Sequence, residues 1–249
     1  MLFELVYECL QRIQDLDPDR DAAAFARGLL ELDPGLGRRL VAPGLVEAVA
    51  GVQIGLIREL PAVVQAMQEA VAAPATFPAV RTAQVGALAY LVKPRDLMPD
   101  FLPGGLGFLD DALILRTTAT GFFGELHAAY TTPGAERRKL RFHALCIPEG
   151  RKPDFQRVLD EAWALFHRLL TTPASQAEAT TRAIVQDPYG PLLPEGLSEP
   201  PPPPAGPAAW LELPPPGLRM GGGRLWASFP GEPRKESHER MLTPDGRGF

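Results

Sequence analysis

The chain has 249 residues, of which 45% are hydrophobic, with a net charge of −5 and a sequence pI near 5.5. That is enough apolar material for one sizeable core with extensions. The acidic balance supplies no basic field to hold a polyanion, which argues against nucleic-acid binding as the main role. Cys9 and Cys146 form neither a zinc-ligand spacing nor a disulfide framework, which suits a reducing cytoplasm.

The N-terminal stretch MLFELVYECLQRIQDLD lacks the basic region of a secretory signal. Its apolar positions Leu2, Leu5, Val6, Cys9, Leu10 and Ile13 recur at helical spacing and predict a helix over 2–16. Further helices are predicted over 20–32, 43–74 (broken at Pro61), 78–92, 109–130, 135–146, 154–171 and 174–186. The breaks fall on LDPDRD, LDPGLG, AAPATFP, VKPRD, TTPGAE, IPEGRKPD and TTPAS. TTPGAE and TTPASQAE place a hydroxyl, a proline and then an acid where a helix start favours them. The apolar runs Ala42–Ile57 and Val85–Val92 are too short to span a bilayer and read as buried helices.

Composition changes after this. Twelve of the 28 prolines lie between Pro188 and Pro216, and EPPPPPAGP at 199–207 has a polyproline II signature. The expected organisation is a helical domain over 1–187, then a Pro/Gly-rich linker and tail over 188–249. Within the tail, WLEL at 210–213 and RLWASF at 224–229 can pair as a small β-hairpin across 209–229, or act as Trp-anchored motifs in a free tail. The fold class is therefore all-α: a helical bundle built around a helix–turn–helix hairpin, with a largely irregular proline-rich tail.

The hairpin is the stretch LAYLVKPRDLMPDFLPGGLGFLDDALIL, Leu88 to Leu115. It resembles the YkvA-like family, a bacterial domain of unknown function. That pattern has an apolar helix, a D-x-x-P-D-x-x-P turn, a Gly-containing loop and an Asp-Asp pair opening another apolar helix. Asp96, Pro99, Asp100, Pro103, Gly107, Asp110 and Asp111 match it. The entry Lys93-Pro94-Arg95 is more charged than usual, and the loop PGGLG carries an extra glycine. The resemblance covers roughly residues 79–118. It implies no established activity, substrate or cofactor, though suspected membrane association comes with it.

Read from the residues alone, Lys93 before Pro94 ends the first helix. Asp96 then sits as an N-cap, with Pro99 and Asp100 in the first turn of a short helix that Pro103 and the glycines stop. Asp110 can cap the next helix, with Asp111 at its first position and Leu109, Ala112, Leu113, Ala119, Phe123, Leu126 and Tyr130 forming its apolar stripe. Four acids so close together repel unless Arg95, Lys93, Arg81 or Arg116 pairs with them, or a cation does. Three readings follow: structural caps and salt bridges, a Mg²⁺ or Mn²⁺ site on Asp96, Asp100, Asp110 and Asp111, or a polar surface for a partner.

Elsewhere, His143 and Cys146 lie three apart and fall short of a zinc site. His127 and His167 read as boundary residues, His238 falls in the polar tail, and Trp163 continues a core stripe. RMGGGR at 219–224 reads as a turn and not a phosphate loop. The segment Glu136–Lys152 is the one basic patch, with Arg137, Arg138, Lys139, Arg141, Arg151 and Lys152. It is either the solvated face of a packed helix or a rest for an anionic membrane surface.

Two functions are compatible with this sequence. One is a non-catalytic interaction module acting through an unidentified protein partner or a membrane surface. It would be cytoplasmic or peripheral at the inner face of the membrane, and no small-molecule substrate is identifiable for it. The other is a metal-dependent enzyme of hydrolase type using the aspartate cluster.

Overall fold

The computed structural model describes residues 1–40, 42, 44–93, 97–122, 133–190, 214–230 and 239–249. Helix α1 (Leu2–Gln14) buries Leu2, Val6, Cys9 and Ile13 along one stripe. Helix α2 (Pro18–Leu32) starts two residues ahead of the predicted 20. The Asp17 carboxylate accepts the amides of Asp19 and Arg20 at 2.8 and 3.1 Å, with Pro18 in the first turn. A short α3 (Pro34–Arg39) follows.

The expected 43–74 helix is two helices, α4 (Leu45–Ile57) and α5 (Leu60–Ala72). The chain breaks at Arg58-Glu59, before Pro61 and not at it, because a proline within a first turn forfeits no hydrogen bond. Helix α6 (Pro78–Leu91) leads to the bend and α7 (Leu109–Phe122) leaves it. Then come α8 (Pro133–Ala144), α9 (Lys152–Leu170) and α10 (Ala174–Gln186), the last with the bounds its sequence predicts. The fold is helical, as composition and periodicity indicate, with a small sheet added at its C-terminal end.

The core forms around α4, α6 and α7. Helix α4 is buried nearly all round, including Val49, Ala50, Val52, Ile54, Leu56 and Ile57. Its 13 residues extend about 20 Å, against about 30 Å for a bilayer core. Among the described residues no helix is long and apolar enough to cross a membrane. Helix α2 packs on α4, and α6 packs on both α7 and α10. The α6–α10 seam is threaded by hydroxyls: Thr82 Oγ1 lies 2.8 Å from Thr181 Oγ1 and 3.1 Å from the Ala177 carbonyl.

Three antiparallel strands, β1 (Gly217–Gly221), β2 (Arg224–Ser228) and β3 (Arg240–Leu242), form a sheet in that order. Gly222 and Gly223 close the first hairpin with φ of 60° and 73°, the left-handed pair a two-residue turn requires. The turn expected at 219–224 is thus this hairpin. Its first strand is 217–221, pairing Met220 with Leu225, while WLEL at 210–213 lies outside the described residues. Strand β3 pairs Leu242 with Leu225 and had no counterpart in the sequence reading. Leu225, Ala227 and Leu242 are buried, and β2 lies against α4.

Two glycines of α4 behave oppositely. A Cβ at Gly51 would meet nothing nearer than the Pro18 carbonyl at 3.8 Å, whereas a Cβ at Gly55 would land on the Pro244 carbonyl. Gly51→Ala is therefore expected to stabilise the protein by about 0.5–1 kcal/mol through helix propensity, read as a higher urea midpoint with unchanged slope.

Candidate functional site

The bend between α6 and α7 holds the signature acids. Asp96 lies outside the described residues. Residues 97–102 form turns and bends with no helix, so the short helix expected there is absent. Helical structure begins at Pro103, as 3-10 turns over Pro103–Phe108 that run into α7. Pro103 opens this segment instead of stopping a preceding one, as its fixed φ and missing N–H favour at a first position. Gly104 and Gly105, with φ of 65° and 83°, turn the chain against α2. At Gly104 a Cβ would lie 2.5 Å from the Phe25 amide nitrogen and 2.7 Å from the Asp21 carbonyl oxygen. The extra glycine of the loop is thus what lets backbone meet backbone there.

Asp100 is held from a distance. Arg12, on α1, donates to its Oδ2 at 2.9 Å and to its carbonyl oxygen at 3.1 Å, and the guanidinium lies 4.9 Å from the centre of the Phe108 ring. Burial raises the Asp100 carboxyl above its ordinary range, while Arg12 pulls the other way. Asp110 is fully buried in the first turn of α7. Its Oδ2 accepts the Tyr90 hydroxyl at 2.9 Å and the Met98 amide at 3.1 Å. The expected N-cap is therefore a cross-brace: the carboxylate ties α7 to the end of α6 and to the turn between them. Burial pushes this carboxyl up to about 6 against the pull of those hydrogen bonds. Asp111, beside it, is also fully buried.

Of the cations foreseen as partners, Arg95 lies outside the described residues, and Arg81 and Arg116 bond groups away from Asp100 and Asp110. Arg81 donates to the Ala73 and Thr76 carbonyls at 3.1 and 3.4 Å. Arg116, fully buried on α7, bonds Glu136 Oε2 on α8 at 2.7 Å, Glu59 Oε2 at 2.7 Å and the Leu56 carbonyl at 2.9 Å. Lys139 joins the same network at 2.6 Å from Glu59 and 3.4 Å from Glu136. Along α8 the basic segment is packed inward and is not a solvated face: Arg138, Lys139 and Arg141 are buried and Arg137 is exposed, while Arg151, beyond the helix, is exposed as well.

His143 and Cys146 are both buried, and they meet on one residue. Gln53 of α4 donates to the Phe142 carbonyl at 2.8 Å and to Cys146 Sγ at 3.2 Å, and its Oε1 sits 2.6 Å from His143 Nδ1. With the Gln53 amide nitrogen donating, Oε1 accepts, which places a proton on His143 Nδ1. Burial, then the charges of Arg116 and Lys139, hold its pKa well below the usual range. Burial pushes the Cys146 thiol up to about 12 and Cys9 to about 11, so neither is a thiolate near neutrality. Sequence reasoning missed Arg12, Tyr90, Gln53 and Glu59, each joined to its partner by a contact that no local spacing encodes.

Among the described residues, no group of three His, Cys, Asp or Glu side chains is placed to hold a metal ion. Asp100 and Asp110 are instead engaged by Arg12, Tyr90 and a backbone amide. Among the described residues 97–102, the one left exposed is apolar. Phe101 is 81% exposed beside Asp100, and Tyr7 on α1 is 62% exposed. No curated protein and no solved structure is significantly similar to the chain. Residues 80–116, from α6 through the bend to Arg116, match the model of a protein family of unknown function, DUF1232.

Proposed function

We propose that this chain is a non-catalytic helical module that acts by binding another protein, with the outer face of the α6–α7 bend as contact surface. The observation that carries this reading is the division of labour at the bend. The Asp100 and Asp110 carboxylates face inward and brace it, while Phe101 projects into solvent at 81% exposure. A solvated aromatic on a braced turn is a feature that interface centres use and folding does not need. The described cysteines and His143 have the wrong protonation and burial for nucleophilic or acid–base work near neutrality. A protein is preferred over lipid because net charge is −5 and Arg138, Lys139 and Arg141 are buried, leaving anionic lipid little to attract. The finer kinship to YkvA-like proteins belongs to this proposal and rests on the seven matching positions from Asp96 to Asp111.

Phe101→Ser tests it. The variant is expected to unfold within about 0.5 kcal/mol of the parent, since an exposed ring contributes little to folding. It is also expected to lose the proteins that cross-link to the parent chain in its native cells. An unchanged cross-linking profile would remove the bend from the contact surface.

A further inference from the structure

On one side the sheet stands off the helices, and the walls of the gap differ in charge. A solvent-open cleft of about 590 Å³ separates α2 and α4 from β2, β3 and the turn that follows β3. Its floor is apolar: Ala48, Gly51 and Val52 of α4 face Leu225 and Leu242 of the sheet. The floor is also shallow at its centre, since a Cβ at Gly51 would meet nothing nearer than 3.8 Å.

The charges of the rim are sorted by wall. Asp19 and Glu47 stand on the helical wall, in the first turns of α2 and α4, where the helix dipole favours acids. Arg224 and Arg247 stand on the sheet wall, the first opening β2 and the second following the Asp245-Gly246 turn. All four are exposed. Arg247 is taken by Asp245 at 2.7 Å. Among the described residues, Asp19, Glu47 and Arg224 form no ion pair. Arg224 rests one guanidinium nitrogen on Met241 Sδ at 3.3 Å, a weak acceptor that leaves most of its donors to solvent. Opposite charges thus line the two walls of an apolar floor without closing on each other.

We propose that this cleft binds a small zwitterion whose ammonium and carboxylate are separated by a short hydrocarbon chain. The ammonium lies at Asp19 and Glu47, the carboxylate takes the planar fork of Arg224, and the chain covers Ala48, Gly51 and Val52. The volume falls within the roughly 300–1,000 Å³ of small-molecule sites. A ligand with one charged end satisfies only one wall. None of these residues belongs to the α6–α7 bend, so this site and the contact surface proposed there fail independently.

Titrating the full chain with ε-aminocaproate, followed by amide NMR shifts, tests the proposal. A Kd of about 1 mM or tighter is expected, as suits a small ligand held at both ends. The shifts should centre on Gly51, Gly223 and Thr243. Caproate and hexylamine, which each keep one charged end, are expected to bind at least fivefold more weakly. Glu47→Gln should erode the advantage of the zwitterion over caproate, and Arg224→Met its advantage over hexylamine. Both positions are exposed, so both variants should fold as the parent does. Absence of saturable shifts up to about 10 mM overturns the proposal. So does equal affinity for the zwitterion and either analogue, or a preference that neither variant changes.

Discussion

Replacing Arg116 by methionine is expected to destabilise the protein by about 3–5 kcal/mol, the usual consequence of removing one partner from a buried ion pair. Glu136 is fully buried, 2.7 Å from Arg116 and 3.4 Å from Lys139. The Leu56 carbonyl, at the break between α4 and α5, also loses its guanidinium donor. The pair itself need not be strongly stabilising, because desolvating two charges offsets most of their attraction. The double variant Arg116→Met, Glu136→Gln should therefore recover most of the loss. Urea unfolding of both variants decides the matter. A single-variant loss below about 1 kcal/mol would mean that Glu136 finds another partner or water.

The second large effect is a pH dependence carried by Asp110. Its native pKa lies near 6, above the 3.8 of an ordinary aspartate. As pH falls through that window the native state binds the proton first, so folding gains stability between about pH 6 and pH 4. A shift of this size corresponds to roughly 2–3 kcal/mol. His143 works in the opposite sense. Its native pKa is depressed, so the unfolded chain protonates first and stability is lost as pH drops below 6.5. The two overlap in the parent, and Asp110→Asn separates them. At pH 8 the amide removes the penalty of a buried charge and is expected to match or exceed the parent. By pH 4.5 that advantage should vanish. Asp110→Ala leaves the Met98 amide and the Tyr90 hydroxyl without their acceptor and should fall about 1–3 kcal/mol below Asp110→Asn at both pH values. A pH-independent difference between the parent and Asp110→Asn would contradict the raised native pKa.

The parts of this fold written in local chemistry were legible from sequence. Helix α10 runs from Ala174 to Gln186, the bounds that the break at TTPAS and the apolar spacing predict, although the Thr171 and Thr172 hydroxyls bond the Arg168 carbonyl behind them and do not cap it. Helix α2 begins at Pro18, two residues ahead of the predicted 20, because Asp17 caps it. Local rules misplaced the break near Pro61, since a proline is as comfortable inside a first turn as before one. They also missed β3, whose three residues carry no periodicity. At the candidate site, the acids were correctly singled out, but their partners were not. Arg12 reaches Asp100 across 88 residues of sequence, and a spacing argument looks only at neighbours. The error over α8 has the same origin. A run of Arg and Lys reads as a solvated face unless one knows that Glu59 waits for Lys139 at the break between α4 and α5.

The matched stretch 80–116 is not self-sufficient. Its turn is seated on α2 through Gly104, its Asp100 is clasped by α1, and its first helix lies along α10. Cut out alone, it would expose Leu88, Leu106, Leu109 and Leu113 and lose the guanidinium of Arg12. What is shared at those positions is a joint, and a joint has meaning only between the limbs it connects. In this chain the limbs are α1, α2 and α10, and the bend takes its seat from all three.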